Sequence, residues 1–121
     1  MKVLLLVAPS ADALTLETSN EMAHSMGFFP PLGIMYLSAY LKKYSRHTVK
    51  VIDSESEQID YKQLESRISE FQPEVIGITT FTNTLLSVID VLKIARRVVP
   101  KCITVLGGPH IPLYPKETME V

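Results

Sequence analysis

QPEVIGITTFTNTLLSVIDVLKIARRVVPKCITVLGGPH, residues 72–110, decides the fold. Two short apolar runs, 75–80 and 102–106, bracket a longer periodic segment. Each run is rich in β-branched residues or leucine and does not alternate apolar with polar. That is the pattern of a parallel strand covered on both faces. Between them, residues 83–98 place Leu85, Ile89, Leu92 and Ala95/Arg96 on successive helical turns, and Pro100 ends the helix. Strand, helix and strand at this spacing make a right-handed crossover between parallel neighbours.

The same grammar extends towards the N-terminus. Residues 3–8 and 48–53 read as two further strands buried from both sides. A helix is predicted over 31–44, with Pro31 suited to the first turn and Ile34, Leu37, Ser38 and Leu41 facing inward. Another is predicted over 61–71, with Asp60 as N-cap and Leu64, Ile68 and Phe71 buried, stopped at Gln72-Pro73. Alternation of this kind defines an α/β fold: a doubly wound parallel sheet, flavodoxin-like (Rossmann-like), in three layers, with strand order 2-1-3-4. A fifth strand normally completes such a sheet and is missing here. YPKETMEV, residues 114–121, reads as the first turns of another helix, so residues 1–121 are expected to be an incomplete domain of a longer protein.

Composition narrows the function. With 121 residues, 46% hydrophobic and 21% charged, the chain supports one core. A net charge of −1 argues against nucleic acid or an anionic membrane as partner. Lys42-Lys43 and Arg96-Arg97 sit where cations complement helix C-termini. The single cysteine, Cys102, excludes an internal disulfide and a cysteine-only metal site, and reads as a small buried hydrophobe. MKVLLLVAPSA has too short an apolar stretch for a signal peptide, and no run reaches the roughly 18 residues of a membrane helix. A cytoplasmic protein is expected.

In a parallel sheet the strand-to-helix loops emerge along one edge. APSAD (8–12), TTFTNT (79–84) and GGPH (107–110) therefore converge, and the crevice lies where the strand order reverses, between strands one and three. The segment 9–30 has no periodic pattern and is unusually long for such a connection, which fits either a lid or a segment disordered without its partner. Its His24 carries no motif, and His47 lies in a polar turn. No Gly-x-Gly-x-x-Gly or Gly-Lys-Ser/Thr follows the first strand, which removes dinucleotide and phosphate-loop sites. Asp53 ends the second strand without the other acids of a phosphoacceptor site and reads as a turn cap. No catalytic set is assembled by spacing, and no metal ligands are assigned. Gly107-Gly108 either permits a tight turn or offers bare backbone to a large ligand. On the second reading, Gly108→Leu abolishes ligand binding and spares the fold.

FFPPLGIMYLSAYLKK (28–43), TVKVIDSE (48–55), QPEVIGITTFTNT (72–84) and VLGGPHIPLYPKE (105–117), in this order and spacing, resemble the N-terminal cobalamin-binding domain of radical SAM enzymes. The likeness spans nearly the whole chain. It implies a cobalamin cofactor in this domain. It also implies a radical SAM barrel downstream, holding SAM and an iron–sulfur cluster, in a methyltransferase or related enzyme; this domain alone is not expected to catalyse. Domains of this kind hold the nucleotide tail with Ser-x-Leu at the end of the third strand. Thr79-Thr80-Phe81 stands in that place, with a hydroxyl at Thr79 and an apolar group at Phe81. The implied cofactor-binding set is Pro9, Ser10, Thr79, Thr80, Phe81, Thr82, Gly107, Gly108, Pro109 and His110, with His110 at the rim. The best-known cobalamin carriers place Asp-x-His-x-x-Gly after the first strand, and its histidine ligates cobalt. Asp12-Ala13-Leu14 has no such histidine, so base-off binding without that ligand is implied. The alternative is a cofactor-free structural or interaction domain whose crevice is filled by Phe81 and the 9–30 loop. An exposed sheet edge would also permit a homodimer.

Overall fold

A computed structural model describes residues 1–9 and 29–120. Ser10 and almost all of the 9–30 segment, including His24 and the expected lid, lie outside the described residues. Four strands form one parallel sheet: β1 (Lys2–Val7), β2 (Thr48–Asp53), β3 (Val75–Thr79) and β4 (Ile103–Gly107), in the order β2-β1-β3-β4. Around it lie α1 (Leu32–Tyr44), α2 (Tyr61–Phe71), α3 (Leu85–Val98) and a short α4 (Pro115–Met119). This is the doubly wound, flavodoxin-like arrangement expected from the sequence.

Side-chain alternation along the strands divides the core into two clusters. Leu4, Leu6, Ile52, Ile76 and Ile78 point to one face and meet Leu64 and Ile68 of α2 and Val88, Val91 and Ala95 of α3. Val3, Leu5 and Val49 point to the other and meet Ile34 of α1. Full burial of a Leu or Ile side chain is worth roughly 1.5–3 kcal/mol, so the two-helix face carries most of the stabilisation.

Helix ends follow local chemistry. Asp60 accepts a bond from the Gln63 amide at 2.7 Å, and the Gln63 side chain accepts one from the Asp60 amide at 3.0 Å. This reciprocal cap fixes the start of α2. At its end Gln72 takes a left-handed conformation, φ +50°. Asp53 accepts from the Ser56 amide at 3.2 Å, the turn-capping role expected of it.

Several expectations are corrected. Pro31 is the cap of α1, one residue outside it, and Leu37 is exposed. Residues 82–84 form a 3₁₀ turn, so α3 starts at Leu85 rather than Asn83. Its buried stripe is Ser87, Val88, Val91, Ile94 and Ala95, while Leu85, Ile89 and Leu92 are only half-buried. Both sets of apolar residues recur at helical spacing, and the one carrying Val88 and Val91 meets the sheet. β4 is not covered on both faces: Ile103 is 62% and Val105 50% exposed. It is an edge strand, and the single helix on that side, α1, packs on β1 and β2. Cys102 precedes β4 and is half-buried against the larger core.

Candidate functional site

A single helix on one side of four strands leaves a space. A cleft of about 1160 Å³ runs between α1 and the uncovered face of β3 and β4. Its floor is Leu5, Val75, Gly77 and Val105. Leu32, Tyr36 and Leu37 of α1 form one wall. At the C-terminal edge of the sheet its rim is Thr79, Phe81, Gly107, Gly108 and Pro109. Asp53 and Glu55, at the end of β2, are its acidic lining residues. A smaller groove of about 590 Å³ lies against Pro30, Met35, Lys42 and Val51, and among the described residues the turns after β3 and β4 do not line it. The larger cleft is therefore the one at the topological switch point.

Gly77 sits in the middle of a central strand, where any side chain would stand up from the floor. An added Cβ would lie 2.8 Å from Leu5 Cδ2. Sequence reading passed over this residue, although an isolated glycine within a strand is itself a sign of close approach. The walls contributed by α1 were also missed, because a helix preceding the second strand has no local link to the β3 edge.

The two rim glycines differ. A Cβ at Gly107 would meet nothing within 4 Å among the described residues, so of these none covers the backbone at this point of the cleft. A Cβ at Gly108 would stand 2.6 Å from the Thr80 carbonyl oxygen and 2.7 Å from its nitrogen, and φ there is +95°. The bareness of Gly108 is thus required by the turn itself. Both residues line the cleft.

Of the residues implied for cofactor binding, the structure gathers Thr79, Phe81, Gly107, Gly108 and Pro109 at the cleft. Pro9 and Thr80 are buried instead. Thr80 departs from Thr79 and Phe81 because alternation sends its side chain to the opposite face, where it has no exposure and its Oγ1 has no partner among the described residues. Thr82 turns to His110, with Oγ1 and Nδ1 3.0 Å apart. His110 is not at the rim: it is buried, 4% exposed, against Tyr114. Its backbone bonds to Thr80 draw it beneath the loop. Among the described residues no group of three or more His, Cys, Asp or Glu is placed to hold a metal, and no helix is long and apolar enough to cross a membrane.

An open α/β sheet with an apolar cleft at its switch point defines a domain that binds an extended ligand beyond the strand ends. The chain belongs to the B12-binding domain family, whose model matches residues 22–121. Three relatives agree with this placement. An uncharacterized methyltransferase of Pyrococcus horikoshii is 32% identical over 119 residues, 98% of this chain and 24% of that protein. An anaerobic magnesium-protoporphyrin IX monomethyl ester cyclase of Cereibacter sphaeroides is 30% identical over 98 residues, 81% of this chain and 16% of the relative. A cytidylyl-2-hydroxyethylphosphonate methyltransferase of Streptomyces wedmorensis is 31% identical over 108 residues, 74% of this chain and 20% of the relative. The chain thus spans a quarter or less of the length of these curated relatives. No solved structure matches it.

Proposed function

We propose that this domain holds cobalamin base-off, with the nucleotide tail lying in the cleft between α1 and β3–β4. The observation that carries the reading is Gly107: among the described residues, nothing covers the backbone at the end of β4, which stands above an apolar floor interrupted by Gly77. The residues fit the group. Thr79 supplies a hydroxyl at the rim and Phe81, 48% exposed, an apolar surface for a planar ring. Leu5, Val75 and Val105 desolvate the tail, a contribution that scales at about 25 cal/mol per Å² of apolar surface buried, before the losses of association. When bound, cobalamin supplies a cobalt centre able to carry a methyl group; the chain's own part is binding and orientation. No Asp-x-His-x-x-Gly motif supplies a histidine to cobalt here.

On this reading the domain serves a larger cytoplasmic radical SAM enzyme, a methyltransferase or cyclase, whose barrel carries SAM and the iron–sulfur cluster. The relatives' activities, two methyltransferases and a cyclase, support the methyltransferase or cyclase part of this reading. The alternative, a cofactor-free domain of the same kind, requires a crevice filled by Phe81 and the 9–30 loop; among the described residues Phe81 is half exposed and nothing covers Gly107, and almost all of that loop lies outside them. Titration with hydroxocobalamin followed in the visible region tests the proposal. The expected result is a shift to the base-off spectrum and co-elution of corrinoid with protein on gel filtration. An unchanged spectrum with no co-elution overturns it.

A further inference from the structure

We infer that His110 is a positioning residue that latches the loop after β3 to the turn after β4. The inference rests on the proposed cobalamin reading only for its functional consequence; the latch itself belongs to the protein alone.

The two segments are 28 positions apart in sequence at Thr82 and His110. The His110 amide donates to the Thr80 carbonyl at 3.2 Å, and its own carbonyl accepts from the Leu113 and Tyr114 amides at 3.1 and 3.2 Å. Its ring lies 5.3 Å, centroid to centroid, from that of Tyr114. Backbone, carbonyl and ring face are thereby all engaged. The ring's polar contact is with Thr82 Oγ1, 3.0 Å from Nδ1, while Nε2 is buried with no partner among the described residues. A neutral imidazole presents one donor and one acceptor, so in either tautomer one nitrogen is unpaired. Removing the Thr82 hydroxyl would leave both unpaired in a buried ring, which is strongly unfavourable. The contact therefore has a larger effect than its exposed threonine implies.

Thr82 lies between Phe81, on the cleft rim, and the turn that ends at Thr84. Within that turn the Phe81 amide donates to Thr84 Oγ1 at 3.1 Å, and the Thr84 amide donates to the Phe81 carbonyl at 3.1 Å. This small ring of bonds is self-contained; the backbone bonds of Thr80 to Gly107 and of His110 to Thr80 hold the residue before it to the β4 turn, and Thr82–His110 adds a side-chain tie from within the ring itself. Thr79 is already set opposite Gly107 by the sheet register, so what the latch fixes is the direction in which Phe81 faces the cleft. It acts through Phe81: neither Thr82 nor His110 lines the cleft.

The test has two arms. In the ligand-free protein, amide hydrogen exchange is read at Phe81 and Thr84. Thr82→Val and His110→Phe should each speed exchange there by about tenfold, Thr82→Ser should behave as wild type, and the double variant should be no faster than either single. In the second arm hydroxocobalamin affinity is measured. Thr82→Val and His110→Phe should raise Kd about tenfold, equivalent to about 1.4 kcal/mol, and Thr82→Ser should restore it. Unchanged exchange in Thr82→Val, or effects of the two substitutions that add fully, overturns the latch. Faster exchange with Kd within about twofold of wild type overturns its positioning role. If the wild-type protein takes up no hydroxocobalamin, the cobalamin reading fails, and the exchange arm alone decides the latch.

Discussion

The side chain that Gly108 lacks would stand 2.6 Å from the carbonyl oxygen of Thr80. Close approach and a φ of +95° act at the same residue, and neither is relieved by moving a flexible side chain. Gly108→Ala should destabilise the protein by about 2 kcal/mol or more, read by urea denaturation. Gly108→Leu is therefore a folding variant, contrary to the sequence-based expectation that it spares the fold. A Gly108→Ala protein within about 0.5 kcal/mol of wild type would remove the turn as the reason for this glycine.

Ile68 and Leu86 separate the core from the surface. Ile68 is fully buried between helix and sheet, while Leu86 is 53% exposed on the outer side of α3. Ile68→Ala should lower stability by about 2–5 kcal/mol and Leu86→Ala by less than about 0.5 kcal/mol. Thermal unfolding of both variants checks the helix register directly, since the reverse ranking would require the helices to be rotated.

Asp60 holds the first turn of α2 through the reciprocal bonds with Gln63. Asp60→Ala should cost about 1 kcal/mol, and Asp60→Asn should recover most of it. Equal losses for both variants in chemical denaturation would show that the carboxylate acts through charge and not as a hydrogen-bond acceptor.

Burial pushes the Cys102 thiol above its ordinary pKa, partly opposed by a backbone hydrogen bond from Ile76. The folded protein thus keeps this proton to higher pH than the unfolded chain. The contribution to stability is complete below the unfolded thiol's pKa and declines as pH rises from there through the folded pKa. Alkylation by iodoacetamide at neutral pH should be slower than for a free cysteine and should accelerate only at a more alkaline pH. Reaction as fast as a free thiol at pH 7 would contradict the burial.

Much of the fold is legible in the sequence because its signals are local. Non-alternating apolar runs mark the strands, and Asp60, Pro73 and Pro100 punctuate the helices. What was misread depends on distant partners. The exposure of Val105 follows from which strands α1 covers, a fact of the helix layer and not of the strand. The burial of His110 follows from Thr80 and Thr82, 30 and 28 residues earlier, a relation no spacing rule contains. A cleft does lie against β1 and β3 at the expected edge, but it extends over β4, and Pro9, Thr80, Thr82 and His110 do not line it. Its floor at Gly77 and its wall at Tyr36 and Leu37 needed the folded sheet to reveal them.

The most direct test of the central claim compares cobalamin with cobinamide, which has the corrin ring but lacks the nucleotide tail, by equilibrium dialysis. The cleft account predicts at least about tenfold tighter binding of cobalamin. It also predicts that Gly107→Leu, whose new side chain enters open space and leaves the fold intact, lowers cobalamin affinity to the cobinamide level. Equal retention of the two corrinoids by the wild-type protein, or full cobalamin binding by a folded Gly107→Leu variant, would contradict it.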